Sequence, residues 1–465
     1  RPHNENLAAW LTLGFHASNC EVVHIGCSST PMLHYAVLET GARLGCMITA
    51  SHNPVTDSGI KVFDAHGRKS MPAYETLVSE TAYSLSQEDR EIDEVDRKAW
   101  MKPDAEHNVH HQKWLERRLE LFQSLFGYEL SSFDKLRLDS SKGHAASWLA
   151  NWMQNQGLDI EEVSSQAAAM NEGCGAGELS PGQSWTWDET VSSGHLLIES
   201  LSSRGEGSLL GAALDGDGDR CLLARETSNG VEVVDGDDIA DAILRACPKP
   251  WKVAASIESN LRLLSSVEEQ STMEGFETAV GDRWLSHALC SYLPEQEQQP
   301  LLFGIEDSGH IVLPSPHPSN ANQWSLVGDG SMTLLVALLA LQGAGEDPMQ
   351  KGWKKRLSVK NPNRWMWDGQ NELSGTVESM VRTHLYQAGN VTDWQRSRLE
   401  GEANLMLIRC RLNGMDVSFG LRNSGTQEKT SISLRFSEPD PGFDAMLLMR
   451  SVQNLLLRTF NPVAY

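Results

Sequence analysis

The sequence predicts a multidomain α/β protein. Its 465 residues exceed what one hydrophobic core usually supports, and a typical domain size of about 150 residues suggests about three domains. Apolar runs of strand length alternate with helix-like segments, which is typical of α/β chains. The expected strands are Glu21 to Gly26, Leu44 to Thr49, Leu209 to Leu214, Lys252 to Ile257 and Leu301 to Gly304.

The C-terminal part of the chain follows a different order of elements. A helical stretch from Leu373 to Ala388 precedes strands near Asn404 to Arg411 and Thr430 to Phe436, and a helix from Phe443 to Phe460 comes last. Here strands are grouped rather than alternating with helices. We therefore expect a separate α+β domain.

Composition excludes several classes of protein. Apolar residues make up 40% of the chain and charged residues 22%, which are ordinary values for a soluble globular protein. No apolar run reaches the roughly 18 residues of a membrane-spanning helix, and Arg1 to Glu5 lacks the pattern of a secretory signal. The eight cysteines form no CxxC pair, which favours reduced thiols over a disulfide framework or a zinc site. A cytoplasmic protein is expected.

The net charge of −23 restricts the partners. Such a charge repels nucleic-acid phosphates and anionic membranes, so we expect neither as a partner. An anionic small-molecule substrate would need a locally positive pocket.

The first segment that indicates chemistry is Thr49 to Pro54, which reads TASHNP after an apolar strand. Ser51 offers a nucleophile or phosphate carrier, His52 a polar neighbour, and Lys61 a proton-transfer group. Taken alone, such a turn more often satisfies its own backbone than carries out catalysis.

The second segment places three carboxylates, Asp215, Asp217 and Asp219, in alternation with glycines directly after a strand. Glycine lets the backbone fold tightly enough for the carboxylates to converge on one magnesium ion, which prefers oxygen ligands. In an EF-hand a glycine would follow the third acidic position and a glutamate would close the loop. Here Arg220 follows Asp219 and Glu226 is one residue late. A surface Asp-Gly turn is the other alternative.

The third segment, which reads GIEDSGH, presents a carboxylate, a hydroxyl and an imidazole on Glu306, Ser308 and His310. Sugar hydroxyls require such mixed donors and acceptors. A helix cap or a turn explains the composition equally well.

The fourth segment combines Arg422 with the hydroxyls of Ser424 and Thr426 and the free backbone around Gly425. These groups could form a phosphate cradle, to which Lys429 would add positive charge. An exposed hairpin turn is the alternative.

In this order, the four segments resemble the active-site loops of the α-D-phosphohexomutase superfamily: a TASHNP phosphoserine loop, a DGDGDR metal loop, a sugar-specificity loop and an SGT phosphate loop. The likeness covers nearly the whole chain and includes the VGDR segment at 280–283. It implies three αβα domains with mixed sheets and a C-terminal α+β domain, arranged around a central cleft. The implied domains are 1–112 (phosphoserine, N-terminally incomplete), 113–248 (metal-binding), 249–357 (sugar-binding) and 358–465 (phosphate-binding).

The resemblance also implies a role for each matching residue. The implied catalytic residues are Ser51, His52, Lys61 and Arg220. The implied magnesium ligands are Ser51, Asp215, Asp217 and Asp219. The implied sugar-binding residues are Glu306, Ser308 and His310, and the implied phosphate-binding residues are Arg422, Ser424, Gly425 and Thr426.

The implied reaction interconverts a hexose 6-phosphate and a hexose 1-phosphate. Phosphoserine 51 would give its phosphate to the free hydroxyl of the substrate, and the bound 1,6-bisphosphate would turn over and return its other phosphate to Ser51. One magnesium ion and a hexose 1,6-bisphosphate activator are the implied cofactors. The partner is the hexose phosphate, and the protein is expected to be a monomer or a homodimer.

Within the superfamily, the loop at 306–310 looks most like that of the bacterial phosphoglucosamine mutases, which convert glucosamine 6-phosphate to glucosamine 1-phosphate. The segments NEGCG at 171–175 and VDGD at 234–237 add to this likeness. A phosphomannomutase or phosphoglucomutase is the alternative.

Several positions depart from the family pattern. Gln427 and Glu428 stand where Glu-Pro is usual, Ser431 where arginine is common, and Ser58 where asparagine is usual. These departures leave a second alternative, a non-catalytic sugar-phosphate binding protein with the same fold. A calcium-binding module built on the aspartates is a third. The family's upstream Gly-x-Arg-Gly loop does not occur, so we expect the sequence to be a fragment.

Overall fold

The computed structural model describes residues 3–88, 106–131, 133–345, 347–425 and 428–461. The chain divides into two compact units. Unit 1 comprises Arg1–Lys249 and Leu289–Glu346, and unit 2 comprises Pro250–Ala288 and Asp347–Tyr465. Thr426 of the expected phosphate loop and the departure at Gln427 lie outside the described residues. The bounds of the four expected domains stay a prediction.

Helices and strands occur throughout both units. Within the described residues, the α-helices are α1 (Asn4–Ala17), α2 (Thr30–Thr40), α3 (Pro72–Ser86), α4 (Glu106–Phe126), α5 (Leu149–Asn155), α6 (Trp187–Thr190), α7 (Leu196–Ser200), α8 (Gly236–Ala246), α9 (Leu261–Glu268), α10 (Asp282–Leu289), α11 (Gly330–Gly343), α12 (Glu372–Ala388) and α13 (Ala445–Phe460). The strands are β1 (Leu44–Ile48), β2 (Ile60–Asp64), β3 (Leu136–Asp139), β4 (Ile160–Glu162), β5 (Ser184–Thr186), β6 (Leu209–Leu214), β7 (Cys221–Thr227), β8 (Gly230–Val234), β9 (Lys252–Ser256), β10 (Glu274–Thr278), β11 (Leu302–Ile305), β12 (Ile311–His317), β13 (Asn320–Gly328), β14 (Lys354–Lys360), β15 (Val391–Ser397), β16 (Met406–Leu412), β17 (Met415–Asn423) and β18 (Lys429–Phe436).

Unit 1 contains a mixed sheet with the strand order β4-β3-β6-β7-β8-β5. Its first three strands are parallel, and each later neighbour is antiparallel. Strands β1 and β2 form a separate antiparallel pair, and β11, β12 and β13 are antiparallel neighbours. The expected α/β class with mixed sheets is confirmed.

One expected strand, Glu21 to Gly26, is wrong. The structure assigns no strand there, and no described residue pairs with the segment in a ladder. Val23 is 52% exposed, and Gly26 has a φ of 74°, which leaves the extended conformation. Apolar composition alone cannot make a strand, because the backbone groups of a strand need a hydrogen-bonded neighbour.

Helix α11 forms the buried centre of unit 1, where it packs against α4 and α8. Its sequence is apolar on all sides, which is typical of a helix that is enclosed by neighbours. Asp329 caps the helix by accepting a hydrogen bond from the Met332 N–H, and it also pairs with the fully buried guanidinium of Arg118. The cap therefore ties α11 to α4.

Unit 2 contains the antiparallel sheet β14-β18-β17-β16-β15, and separately the parallel pair β9 and β10. Helices α12 and α13 bury their apolar side chains against this antiparallel sheet, in one core that includes Val381, Phe419 and Leu456. The expected C-terminal α+β fold is confirmed. Among the described residues, no helix combines the length and apolar composition needed to cross a membrane.

His34 on α2 should make unit 1 sensitive to acid. The side chain is completely buried, and its Nε2 lies 2.9 Å from Ser325 Oγ. Burial, assisted by the nearby charge of Arg118, lowers the pKa of His34 from 6.5 to about 3. The unfolded chain therefore takes up a proton below pH 6.5 that the folded chain takes up only near pH 3. The contribution of His34 to the free energy of unfolding is fully present above this pH window. It falls as the pH decreases through the window, by up to about 1.4 kcal/mol per pH unit.

We expect the substitution His34→Gln to reduce the number of protons taken up on unfolding by about one, and so to flatten the dependence of the unfolding free energy on pH. The measurement is the free energy of urea unfolding between about pH 7 and about pH 4.5. The same substitution at the exposed His66 is the control and should retain the wild-type slope. Equal slopes for His34→Gln and the wild type would contradict the prediction.

Candidate active site

Each of the four segments that indicated chemistry is the loop of a β-hairpin. The phosphoserine loop joins β1 to β2, the metal loop β6 to β7, the sugar loop β11 to β12, and the phosphate loop β17 to β18. A backbone hydrogen bond closes the base of the first loop, from Thr49 N to Gly59 O at 2.9 Å. Because both ends of each loop continue into paired strands, the polar side chains of the loops are positioned by a rigid scaffold.

Three of these loops meet within unit 1. The Ser51 hydroxyl of the first loop donates a hydrogen bond to Asp215 Oδ2 of the second, at 2.6 Å. The second and third loops are joined by the backbone, because Cys221 N donates to Gly309 O at 3.0 Å and Arg220 and His310 form a β-bridge. Segments that are far apart in the sequence, such as those of Ser51 and Asp215 at a separation of 164 positions, are thus in direct contact.

Ser51 has an unusual backbone conformation. Its φ is 50°, in the left-handed region that few residues other than glycine adopt. Its backbone N–H donates to Thr49 Oγ1 at 3.0 Å. This backbone conformation accompanies the contact of the hydroxyl with the carboxylate loop. Strained residues of this kind are concentrated at functional sites.

Two aspartates of the metal loop are held by lysines of the first hairpin and of the segment that follows it. Lys61 Nζ lies 2.6 Å from both Asp217 Oδ2 and Asp219 Oδ2, and Lys69 Nζ lies 3.0 Å from the same oxygen of Asp219. The three aspartates, including Asp215, are buried. Buried carboxylates need such partners, because their charges would otherwise repel one another without screening by water.

The three aspartates differ in how easily they take up a proton. Burial and the charges of Asp219 and Asp217 raise the pKa of Asp215 to about 6. Burial also acts to raise the pKa of Asp219, but Lys61 and Lys69 outweigh it and hold that pKa well below its usual range. The pKa of Asp217 is likewise lowered, against burial and the Asp219 charge, by Lys61.

His310 connects the sugar loop to the metal loop. Its Nδ1 lies 2.8 Å from Glu306 Oε2, and its Nε2 lies 2.8 Å from Asp219 Oδ1. Burial and the charge of Arg220 act to lower the pKa of His310, whereas Asp219 and the two hydrogen bonds raise it more strongly, to about 9. An imidazolium with both N–H groups donating explains these contacts. The Arg220 Nε lies 3.1 Å from the same Nε2, so the two side chains then form a contact between like charges.

The remaining expected residues of unit 1 lie in the same loops. Burial, with the charges of Arg220 and His310, lowers the pKa of His52 to about 3, so its imidazole is neutral near pH 7. Arg220 Nε also lies 3.7 Å from Asp215 Oδ2. Ser308 is half-buried in the sugar loop.

The carboxylate loop fits a hard divalent cation. Asp217 Oδ1 is buried and has no hydrogen-bond partner among the described residues, and the ammonium group of Lys61 already lies between two of the carboxylates. Asp215, Asp219 and His310 can bring ligand atoms within 4.8 Å of one another. Because the raised pKa keeps a proton on each nitrogen of His310, that side chain suits hydrogen bonding to Asp219 better than metal ligation.

Two residues of this cluster were not expected from the sequence. Thr30, at the start of α2, donates its hydroxyl to Asp217 Oδ2 at 2.6 Å and its backbone N–H to Asp217 O at 2.8 Å. Lys69 follows the β1–β2 hairpin. Neither residue lies within a recognisable motif, and no feature of the sequence alone marks them.

The phosphate loop belongs to unit 2. Arg422, the last residue but one of β17, places its Nη2 3.1 Å from Glu258 Oε1 and its Nη1 3.6 Å from Glu402 Oε1. Ser424 N closes the hairpin on Lys429 O at 2.8 Å. Burial acts to raise the pKa of Glu258, but Arg356 and Arg422 lower it to about 2. Gly425 is exposed in this loop.

Known family models match two parts of the chain. The model described as "Phosphoglucomutase/phosphomannomutase, alpha/beta/alpha domain I" matches residues 1–89. The model for domain III of the same family matches residues 235–355.

Curated relatives carry the name phosphoglucosamine mutase. The relative from Corynebacterium aurimucosum is 29% identical over 354 residues, which cover 74% of this chain and 69% of the relative. The relative from Staphylococcus aureus strain Newman is 29% identical over 370 residues, which cover 76% of this chain and 71% of the relative.

Solved structures share the fold at low sequence identity. Aspergillus fumigatus N-acetylphosphoglucosamine mutase, in complex with GlcNAc-6P and magnesium, has a TM-score of 0.57 at 15% identity and covers 95% of this chain and 96% of its own. A phosphoglucomutase/phosphomannomutase family protein from Burkholderia thailandensis has a TM-score of 0.59 at 16% identity, over 99% of this chain and 87% of its own. By its family models and its relatives, the chain is similar to the phosphoglucomutase/phosphomannomutase family, and the solved structures show that it shares the fold of these phosphohexomutases.

Proposed function

We propose that the protein is a magnesium-dependent phosphohexomutase that converts glucosamine 6-phosphate to glucosamine 1-phosphate through phosphoserine 51. The observation that carries the proposal is the 2.6 Å contact of the Ser51 hydroxyl with Asp215, inside a buried cluster of carboxylates and lysines. The names of the relatives support the reaction and the choice of sugar. A cytoplasmic location and a monomeric or dimeric state stay predictions.

The proposed reaction transfers one phosphoryl group in each direction. The bond between the phosphorus and Ser51 Oγ breaks as a bond to the oxygen of the free sugar hydroxyl forms. That hydroxyl loses its proton, and the Ser51 oxygen takes one up and becomes a hydroxyl again. The resulting hexose 1,6-bisphosphate reverses its orientation and returns its other phosphate to Ser51. The same bisphosphate, added in small amounts, would serve as the activator.

The chain's own residues supply alignment and charge. Lys61, held between Asp217 and Asp219, is the proposed proton-transfer group. The neutral His52 follows Ser51 in the chain, and Arg220 lies near Asp215, the carboxylate that Ser51 contacts. Lys69 adds a second ammonium group to the cluster. Phosphoryl transfer depends mainly on positioning and on neutralising the negative oxygens, which these cations can do.

In the proposal, a magnesium ion is held by Asp215, Asp217, Asp219 and the phosphorylated Ser51. When bound, it would neutralise charge on the phosphoryl group during transfer. The partnerless buried oxygen of Asp217 supports this ligand set.

The proposed roles of the other loops concern the substrate. Glu306, Ser308 and His310 would contact the sugar hydroxyls, and the Glu306–His310 hydrogen bond supports a fixed orientation of both side chains. Arg422, with Ser424, Gly425 and Thr426, would bind the phosphate that is not reacting. A planar guanidinium suits that role because it can donate two parallel hydrogen bonds to one phosphate.

The substitution Ser51→Ala should abolish both phosphorylation and turnover. Alanine has no oxygen to carry the phosphate, so we expect the rate of glucosamine 1-phosphate formation to fall by at least about a thousandfold. The assay contains glucosamine 6-phosphate, magnesium and a trace of hexose 1,6-bisphosphate, and intact mass reports the phosphate on the protein.

The matched control is Ser58→Ala in the same loop. The Ser58 hydroxyl is exposed and donates to Asn4 Oδ1, away from the carboxylates, so this variant should keep the phosphate and the rate. Wild-type turnover by Ser51→Ala would refute the phosphoserine mechanism. No conversion of any hexose phosphate by the wild-type protein would favour a non-catalytic binding protein instead.

The substitution Asp217→Asn should weaken magnesium binding by at least about tenfold, the scale of effect seen for groups that surround a bound metal. Asparagine keeps the size of the side chain but removes the negative charge. Titration calorimetry with magnesium alone measures this without turnover, and calcium titrated in parallel tests the calcium-binding alternative. The exposed Asp188→Asn variant is the control. Unchanged magnesium affinity in Asp217→Asn would contradict the ligand assignment.

A panel of hexose 6-phosphates tests the choice of sugar. We expect kcat/KM to be highest for glucosamine 6-phosphate among the glucosamine, glucose, mannose and N-acetylglucosamine compounds, in line with the names of the relatives. A higher kcat/KM for mannose or glucose 6-phosphate would support the phosphomannomutase or phosphoglucomutase alternative.

A further inference from the structure

We propose that Asn171 is a positioning residue that fixes the backbone of the Ser51 loop against the metal-loop sheet. This inference rests on the proposed function, because it assigns Asn171 a part in aligning the phosphoserine. Asn171 lies in the NEGCG segment, none of whose residues has a role in the proposed reaction. It touches the backbone of the nucleophile loop and no group that reacts.

The side-chain amide of Asn171 spans the Ser51 loop. Its Nδ2 donates to the Ser51 carbonyl at 2.8 Å and to the Asn53 carbonyl at 3.0 Å. An amide nitrogen has two N–H groups, so one side chain can make both bonds. Because carbonyl oxygens only accept, these contacts also fix which end of the amide faces the loop.

The other end of the amide is held from the sheet side. Asn171 Oδ1 accepts a hydrogen bond from Ser141 Oγ at 2.6 Å, and Ser141 N donates to Asp139 Oδ1 at 2.8 Å. Asp139 ends β3, and its Oδ2 accepts from Gly175 N at 2.7 Å. Asp139 and Ser141 are completely buried and Asn171 is 5% exposed, so water does not compete for these bonds.

The backbone around this chain of hydrogen bonds is shaped to hold it. Asn171 and Ser141 have φ values of 61° and 56°, in the left-handed region. A Cβ on Gly216 would lie 2.9 Å from Asn171 Oδ1, and a Cβ on Gly175 would lie 2.1 Å from Ser141 Oγ. The first glycine of the metal loop therefore leaves the space that the amide occupies.

Two independent contacts thus hold the nucleophile. Asp215 contacts the Ser51 hydroxyl, and Asn171 contacts the Ser51 carbonyl, so side chain and backbone are fixed from neighbouring segments of one unit. Small displacements of a reacting group, of the order of 1 Å, can reduce a rate by about a hundredfold. Loss of the amide should therefore reduce kcat and leave substrate binding largely intact.

The test compares Asn171→Asp and Asn171→Gly with the wild-type chain in the mutase assay. Asp keeps the shape but replaces both donors by an acceptor, and Gly removes the side chain while tolerating the left-handed backbone. We expect kcat to fall by about ten- to a hundredfold with KM changed by less than about twofold. Ser141→Ala should reduce kcat by less. Adding it to Asn171→Gly should not reduce kcat further, because both substitutions act through one contact.

The control is Asn413→Asp, which changes another left-handed asparagine, with a φ of 53°, at the β16–β17 hairpin. Its Oδ1 accepts from Asn390 N at 2.9 Å, a bond that aspartate retains, so its kinetics should match the wild type. Wild-type kcat in folded Asn171→Asp and Asn171→Gly would overturn the inference alone. A rise in KM with unchanged kcat would also overturn it, and an inactive wild-type chain would overturn the proposed function together with it.

Discussion

Unit 1 depends on the electrostatic balance of three buried carboxylates in one hairpin loop. Asp215, Asp217 and Asp219 would repel one another strongly in a setting that excludes water. Lys61 and Lys69, from the first hairpin and its flank, and the protonated His310, from the sugar loop, compensate them in the described structure. The need to neutralise this loop is therefore a reason for the separate hairpins to meet.

The same balance collects positive groups in a chain that is acidic overall. The net charge of the whole molecule is −23, yet Lys61, Lys69 and Arg220 lie next to the carboxylates of the metal loop, one of which contacts Ser51. In unit 2, Arg422 lies between the carboxylates of Glu258 and Glu402, so a positive group is again held in place by negative ones. Charged groups fixed in advance need no rearrangement when a charged substrate or transition state appears.

Hairpins suit this task because each loop is anchored on both sides. Because Gly216 has no side chain, the metal loop can approach Asn171 closely. The backbone of Ser51 is in the left-handed region, within a loop whose two ends continue into paired strands. The cost of such backbone conformations is about 1–3 kcal/mol each and has to be met by the surrounding structure. The hydrogen bonds that link Asp139, Ser141 and Asn171 help to stabilise these backbone conformations.

Much of the fold and the local chemistry could be predicted from the sequence alone. The strand that precedes the carboxylates, Leu209–Leu214, was predicted to the residue, and the segments with Ser51, Asp215 and Arg422 were recognisable because their residues are adjacent in the chain. The strand expected at Glu21 to Gly26 failed because strand formation depends on a neighbour that local composition does not reveal. Tertiary structure alone decided that Thr30 binds Asp217, 187 positions away, and that Asn171 holds Ser51 across 120 positions. Local patterns record which groups are present, whereas hydrogen bonds between distant segments depend on how the whole chain packs.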